Sequence, residues 1–167
     1  MNLDALFRPR GVAVYGSASP GKLGAVLIER LLAGGYAQVF AINPKAQGLG
    51  AAKGYSTIAA VGQPVDLAVI ASPAHTVAGV LREAGQAGAR AAVIITSGFG
   101  EAGHADMEQE IADIAREYGI RYIGPNCSGM VNTRFNLYPT LEAQPLPGNI
   151  ALVSQSGAVG GLIMDMA

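Results

Sequence analysis

At 167 residues the chain has room for one domain of ordinary size, or for one domain and part of another. Half of the residues are hydrophobic and only 14% are charged, against a usual share of roughly 25%, so a large apolar core is expected. Eleven Lys and Arg against twelve Asp and Glu give a formal charge of -1, which excludes a basic patch of the size that nucleic acid binding requires. No run of roughly 18 apolar residues spans a bilayer and no leader pattern opens the chain, so a cytosolic protein without membrane contact is expected. Cys127 stands alone, which rules out an internal disulfide and fits a reducing compartment.

Taken in order, strands and helices alternate. Residues 12–15 read as a buried strand, 16–21 as a turn, and 22–33 as a helix with apolar residues at Leu23, Val26, Leu27, Leu31 and Leu32, stopped by Gly34 and Gly35. A second strand is expected over 38–42 and a third over 66–71, followed by a helix over 75–87 that Gly88 closes. Another strand over 92–96 leads through a glycine-rich loop to a helix over 106–118, and 120–123 reads as one more strand. Strands apolar on both faces and separated by helices imply a sheet covered on both sides, that is, a Rossmann-like, doubly wound, mostly parallel α/β fold. Its ligand should sit at the carboxyl ends of the strands.

After Thr140 the pattern changes. Residues 143–147 read as a linker, 149–153 as a strand, 154–157 as a turn and 158–167 as an amphipathic helix. One strand and one helix cannot bury both faces. The expected organisation is therefore a domain over 1–142, a linker over 143–147, and the opening of a second, flavodoxin-like α/β domain over 148–167. The alternative is a single domain whose last strand joins the same sheet.

Several strand-end loops carry candidate chemistry. Gly16, Gly21 and Gly24 are spaced G-x4-G-x2-G, two residues wider than the dinucleotide fingerprint. The same loop nearly meets the triphosphate pattern G-x4-G-K-[ST], but Leu23 replaces the hydroxyl that would hold Mg²⁺. What both templates share is a turn whose backbone N–H groups, helix start and nearby Lys22 face an anion. Lys22 reads equally well as an ordinary solvated first-turn lysine. Lys45, in Asn43-Pro44-Lys45, ends the second strand where an NAD-type fold places an acid on the ribose hydroxyls. A lysine there favours a ribose bearing a phosphate, which points to coenzyme A before NAD. Further loops follow at Ser72-Pro73, at Thr96-Ser97-Gly98-Phe99-Gly100-Glu101, at Gly124-Pro125-Asn126-Cys127-Ser128-Gly129 and at Ser154-Gln155-Ser156-Gly157.

In that order these motifs resemble the NDP-forming acyl-CoA synthetases, that is, the ADP-forming acetate-CoA ligases and the succinyl-CoA synthetase alpha subunit. The resemblance covers essentially the whole chain, as the N-terminal CoA-binding domain with the first strand and helix of the next domain. It implies that CoA phosphates and adenosine meet Gly16, Ser17, Ser19, Pro20, Gly21, Lys22, Asn43, Pro44 and Lys45. Pantetheine would meet Ser72, Pro73, Ile95, Thr96 and Ser97, with Asn126 and Cys127 near the thioester end. Ser156 and Gly157 match a helix start that the family aims at a phosphohistidine. The implied reaction converts acyl-CoA, ADP and phosphate to acid, CoA and ATP through an acyl phosphate. The phosphorylated histidine, the ADP/ATP and Mg²⁺ sites, and the ATP-grasp partner, in cis or as a beta subunit of an oligomer, would lie outside these residues.

Neither His75 nor His104 matches the phosphorylated position, and each reads as a solvated residue. Cys127 suits packing better than nucleophilic attack. No cluster has metal-ligand spacing, and Glu101, Glu108 and Glu110 read as a loop residue and a solvated helix face. Two other functions fit the same residues: a CoA-responsive module of a protein lysine acetyltransferase with a degenerate synthetase region, and an NAD(P)-dependent oxidoreductase in which Lys45 holds a 2′-phosphate.

Overall fold

Successive side chains of a strand point to opposite faces of its sheet, and here both faces are covered. In the computed structural model, which describes residues 3–166, six parallel strands form one sheet: β1 (Val12–Tyr15), β2 (Val39–Ile42), β3 (Lys53–Tyr55), β4 (Leu67–Ile70), β5 (Ala91–Ile94) and β6 (Arg121–Ile123). Their spatial order is β3-β2-β1-β4-β5-β6. The sequence runs outward from β1 in one direction and then from β4 in the other, so the switch point lies between β1 and β4. Every residue of β1, β2, β4 and β5 is buried.

The strands divide their side chains between two cores. Ala13, Tyr15, Phe40, Ile42, Ala68, Ile70, Ala92 and Ile94 face α3 (Ala74–Gln86) and α4 (Ala105–Tyr118), meeting Val77, Leu81, Ile111 and Ile114. Val12, Val14, Val39, Ala41, Leu67, Val69, Ala91 and Val93 face the other way, against Leu27, Ile28 and Leu31 of α2 (Leu23–Ala33). That second core also takes in Leu6 of the short α1 (Asp4–Phe7), Met130 and Leu137. Leucine and isoleucine side chains with no exposure contribute about 1.5–3 kcal/mol each.

Tyr15 lies opposite both Ile42 and Ile70, and Ile70 opposite Ile94. This register aligns the carboxyl ends of the strands, so the loops after them leave from one edge. At the opposite edge Asp66 accepts hydrogen bonds from Arg10 N, Nε and Nη2 at 2.8, 2.9 and 2.7 Å and ties the entry of β1 to that of β4.

The Rossmann-like expectation holds, with differences in detail. β3, α1 and single 3-10 turns at Ile58–Val61, Gly100–Ala102 and Thr133–Phe135 have no counterpart in the expected elements. On α2 the buried stripe is Ala25, Leu27, Ile28 and Leu31, and Leu23 lies outside it, exposed. The strand expected over 149–153 does not form. Ile150 and Val153 are 95% and 98% exposed, and among the described residues no strand lies beside them to take up their backbone groups. The last helix is α5 (Gly157–Met166); residue 167, which the expected helix included, lies outside the described residues. No helix among the described residues is long and apolar enough to cross a membrane.

Candidate functional site

The first loop begins where β1 ends. Gly16 N donates to the Ile42 carbonyl at 3.2 Å, which holds the turn against the end of β2. Gly24 lets α2 approach the turn closely: a Cβ there would stand 2.7 Å from Ser17 O and 3.0 Å from the Gly16 carbonyl carbon, both backbone atoms. Gly21 takes φ +76 with open space beside it, a conformation that favours glycine. Ser17 Oγ accepts from Ser19 N at 3.3 Å within the turn. No side-chain cap occupies the start of α2, so its first N–H groups and the positive end of its dipole are left for a ligand or solvent. Lys22 is the residue before that helix, and it is exposed.

The loop after β2 is built on Asn43, which is 9% exposed. Its Nδ2 donates to Gln47 O at 2.8 Å and its Oδ1 accepts from Gln47 N at 3.0 Å. This pair of bonds closes residues 43–47 into a tight turn that pushes Pro44 and Lys45 outward, both exposed. Among the described residues neither Lys22 nor Lys45 forms an ion pair with a carboxylate. The side chain of Gln47 reaches back to the first loop, where its Oε1 accepts from Ser19 Oγ at 3.4 Å.

The remaining strand-end loops are bonded to one another in series. Thr96 Oγ1 donates to Ser72 O at 2.8 Å, and Asn126 N donates to Thr96 O at 2.9 Å. Ser72 Oγ accepts from Thr76 Oγ1 at 2.8 Å. The Thr96 hydroxyl is thus turned inward, whereas Ser97 is exposed and free to face a ligand. Glu101 accepts from Gly98 N and, at 3.3 Å, from Phe99 N, and Glu108 accepts from Gly100 N at 3.1 Å, so two carboxylates shape the 96–101 loop. The Gly98 N–H is the chief reason that the Glu101 carboxyl lies below its usual range. The sequence reading of these two glutamates as a bare loop residue and a solvated face missed this shaping role.

Cys127 Sγ lies 3.3 Å from Ile94 O as a donor, and burial pushes the thiol up from its ordinary value. A neutral, half-buried thiol suits packing and is a poor nucleophile. Tyr15, at the end of β1, buries its hydroxyl without a hydrogen-bond partner; burial first, and the charge of Glu83 second, push it up. His75 lies in the first turn of α3 and His104 just before α4, both exposed and on separate elements. Among the described residues no group of three His, Cys, Asp or Glu side chains could hold a metal ion.

The start of α5 comes to the loop after β6. Ser156 Oγ accepts from Val159 N at 3.3 Å, capping the helix. A Cβ on Gly157 would overlap the Ser128 hydroxyl, and one on Gly161 the Glu142 carboxylate, so α5 lies against residues 128 and 142 through glycine. Ser156 and Gly157 therefore stand beside the loop that holds Asn126 and Cys127. Val159, Leu162, Ile163 and Met166 are exposed.

The structure thus gathers Gly16 to Lys22, Asn43 to Lys45, Ser72, Pro73, Ile95 to Ser97, Asn126 and Cys127 along one edge of the sheet. Gln47 and Thr76, which join or support these loops, carry no motif signal of their own. Backbone N–H groups, a glycine-lined turn and two exposed lysines fit a ligand with a pyrophosphate and a phosphorylated ribose.

Comparison with known proteins agrees with this geometry. A family profile described as CoA binding domain matches residues 10–133. The chain is 40% identical over 165 residues to the acetate–CoA ligase (ADP-forming) II subunit alpha of Pyrococcus furiosus, covering 97% of this chain and 36% of that one. It is 41% identical to the acetate–CoA ligase (ADP-forming) of Methanocaldococcus jannaschii, over 95% of this chain and 23% of that one. Among solved structures it is similar to the dinucleotide-forming acetyl-coenzyme A synthetase 1 of Ca. Korarchaeum cryptofilum, determined with phosphate and ADP. That match has a TM-score of 0.93 at 39% identity and covers 99% of this chain and 36% of the other. The chain therefore spans between about a quarter and about a third of the relatives it matches.

Proposed function

Because the chain belongs to the CoA binding domain family, we propose that coenzyme A lies along the carboxyl edge of its sheet and that the chain is the CoA-binding part of an ADP-forming acyl-CoA synthetase. The observation that carries this reading is the exposed pair Lys22 and Lys45, one in each of the two loops that the Ser19–Gln47 contact joins and neither paired with a described carboxylate. The glycine turn and the uncapped start of α2 would take the pyrophosphate, with Lys22 beside it. Lys45 would take the 3′-phosphate as a point charge. Ser72, Pro73, Ile95, Thr96 and Ser97 would line the pantetheine, with the thioester end towards Asn126, Cys127 and the start of α5. The lysine disfavours NAD, which requires an acid at that position, and the match to the CoA binding domain family over residues 10–133 favours CoA over NADP.

The full reaction belongs to a longer protein. Neither His75 nor His104 lies at the start of α5, so the phosphorylated histidine, the ADP/ATP and Mg²⁺ sites and the ATP-grasp unit are assigned to other segments or to a second subunit of a cytosolic oligomer. Residues 1–142 would then form the CoA-binding domain and 148–167 the opening of a second one, a division supported by the exposed Ile150, Val153 and Leu162. Isothermal titration of the 167-residue chain with CoA, NAD and NADP tests the reading. Binding of CoA with weaker or no binding of the two nicotinamide cofactors is expected; tighter binding of NADP would overturn it.

A further inference from the structure

We propose that Gln47 is a positioning residue that sets the spacing between the two phosphate-facing loops, and so tunes the preference for a ligand carrying a 3′-phosphate. The proposal rests on the reading of the site as a CoA site. Its basis is the double attachment of this one residue. Its backbone N–H and C=O are both taken by the Asn43 side chain, at 3.0 and 2.8 Å, and Asn43 N is bonded to Tyr55 O at 3.1 Å. The backbone of Gln47 is thus fixed to the β2–β3 side of the sheet. Its side chain crosses to the other loop, where Oε1 accepts from Ser19 Oγ, and Ser19 N is in turn held by Ser17 Oγ. Gln47 joins the glycine turn to the Asn-Pro-Lys turn without carrying charge to the ligand. Two loops held at a set spacing need less ordering when one ligand bridges them, and that saving appears as affinity.

The contacts to Asn43 are made by the Gln47 backbone and not its side chain, so Gln47→Met removes only the bond to Ser19. The test is calorimetric titration of wild type, Gln47→Met, Ser19→Ala and the double variant with CoA and with dephospho-CoA, alongside thermal melting without ligand. The expected result is an unchanged melting temperature, about twofold weaker CoA binding in Gln47→Met, the low end for one neutral hydrogen bond because this one is long and exposed, and a smaller ratio between CoA and dephospho-CoA. In the Ser19→Ala background Gln47→Met should add nothing. Wild-type affinity and an unchanged ligand ratio in Gln47→Met would overturn the proposal. So would a full additional loss in the Ser19→Ala background, or a lowered melting temperature with the ligand ratio intact. Failure of the wild type to bind CoA would instead overturn the function reading beneath it.

Discussion

The hydroxyl of Thr96 donates to the carbonyl oxygen of Ser72 at 2.8 Å, joining the loop after β5 to the loop after β4. The Thr96 carbonyl in turn accepts from Asn126 N, so one residue couples three loops of the candidate site. Thr96→Val keeps the side-chain shape and deletes the donor, leaving the part-buried Ser72 carbonyl short of a partner. A loss of about 1–2 kcal/mol in urea unfolding is expected, with weaker CoA binding in calorimetry. Wild-type values for both would remove Thr96 from this role.

Lys45→Ala should weaken CoA by about 1.5–3 kcal/mol, the range for a charge-assisted contact. The same change should leave dephospho-CoA almost unaffected. Titration of both ligands against wild type and variant decides it: equal losses for the two ligands would separate Lys45 from the 3′-phosphate.

Glu101 carries a pH signature. Its folded-state pKa lies below the ordinary value of 4.5, chiefly because the Gly98 N–H bonds to the charged form. A depressed carboxyl contributes stability that is present above its unfolded value and is lost as pH falls through the lower, folded one. Protection of the Gly98 and Phe99 amides in hydrogen exchange should therefore drop as pH is taken below about 4.5. In Glu101→Gln that step should vanish. A wild-type profile that stays flat through the acid range would refute the assignment.

The Arg10–Asp66 pair sits at the other end of the strands, which separates stability from binding. Asp66→Asn should cost about 1 kcal/mol in denaturant unfolding, since Arg10 is largely exposed and screened. The cost should shrink as pH falls below the ordinary 3.8 of an aspartate, because the Arg10 hydrogen bond depresses the folded value and acid removes the advantage. CoA affinity should not change, and a large change would mean that the two edges of the sheet are coupled.

Much of this fold could be read from residue order because β1, β2, β4 and β5 are runs of apolar residues buried on both faces. β3 could not. Lys53-Gly54-Tyr55 is short, contains a glycine and pairs on one side only, so neither apolar run length nor alternation marks it. The opposite error arose at 149–153, where Ile150, Leu152 and Val153 look like a strand but have no neighbour to pair with. In the site, glycines and lysines at strand ends were visible as motifs. Gln47 and Thr76 were not, because a side chain that bonds to another loop leaves no local spacing to detect.

Exposure of Val159, Leu162, Ile163 and Met166 predicts weak local stability in α5. Amides from Ser154 onward should exchange faster than those of β1 and β5. Equal protection in a dilute monomer would mean that this segment is as firmly built into the fold as the central strands.

The seam between α5 and the rest of the fold carries a consequence of its own. Gly157 and Gly161 stand four residues apart, one turn of the helix, and meet Ser128 and Glu142. Hydrophobic free energy follows apolar area removed from water, at about 25 cal/mol per Å², and glycine has no side chain to remove. The seam is consequently specific in shape but thin in adhesion: alanine at either position would act as a wedge between the two surfaces, while separating the native ones strips almost no apolar side chain of its cover.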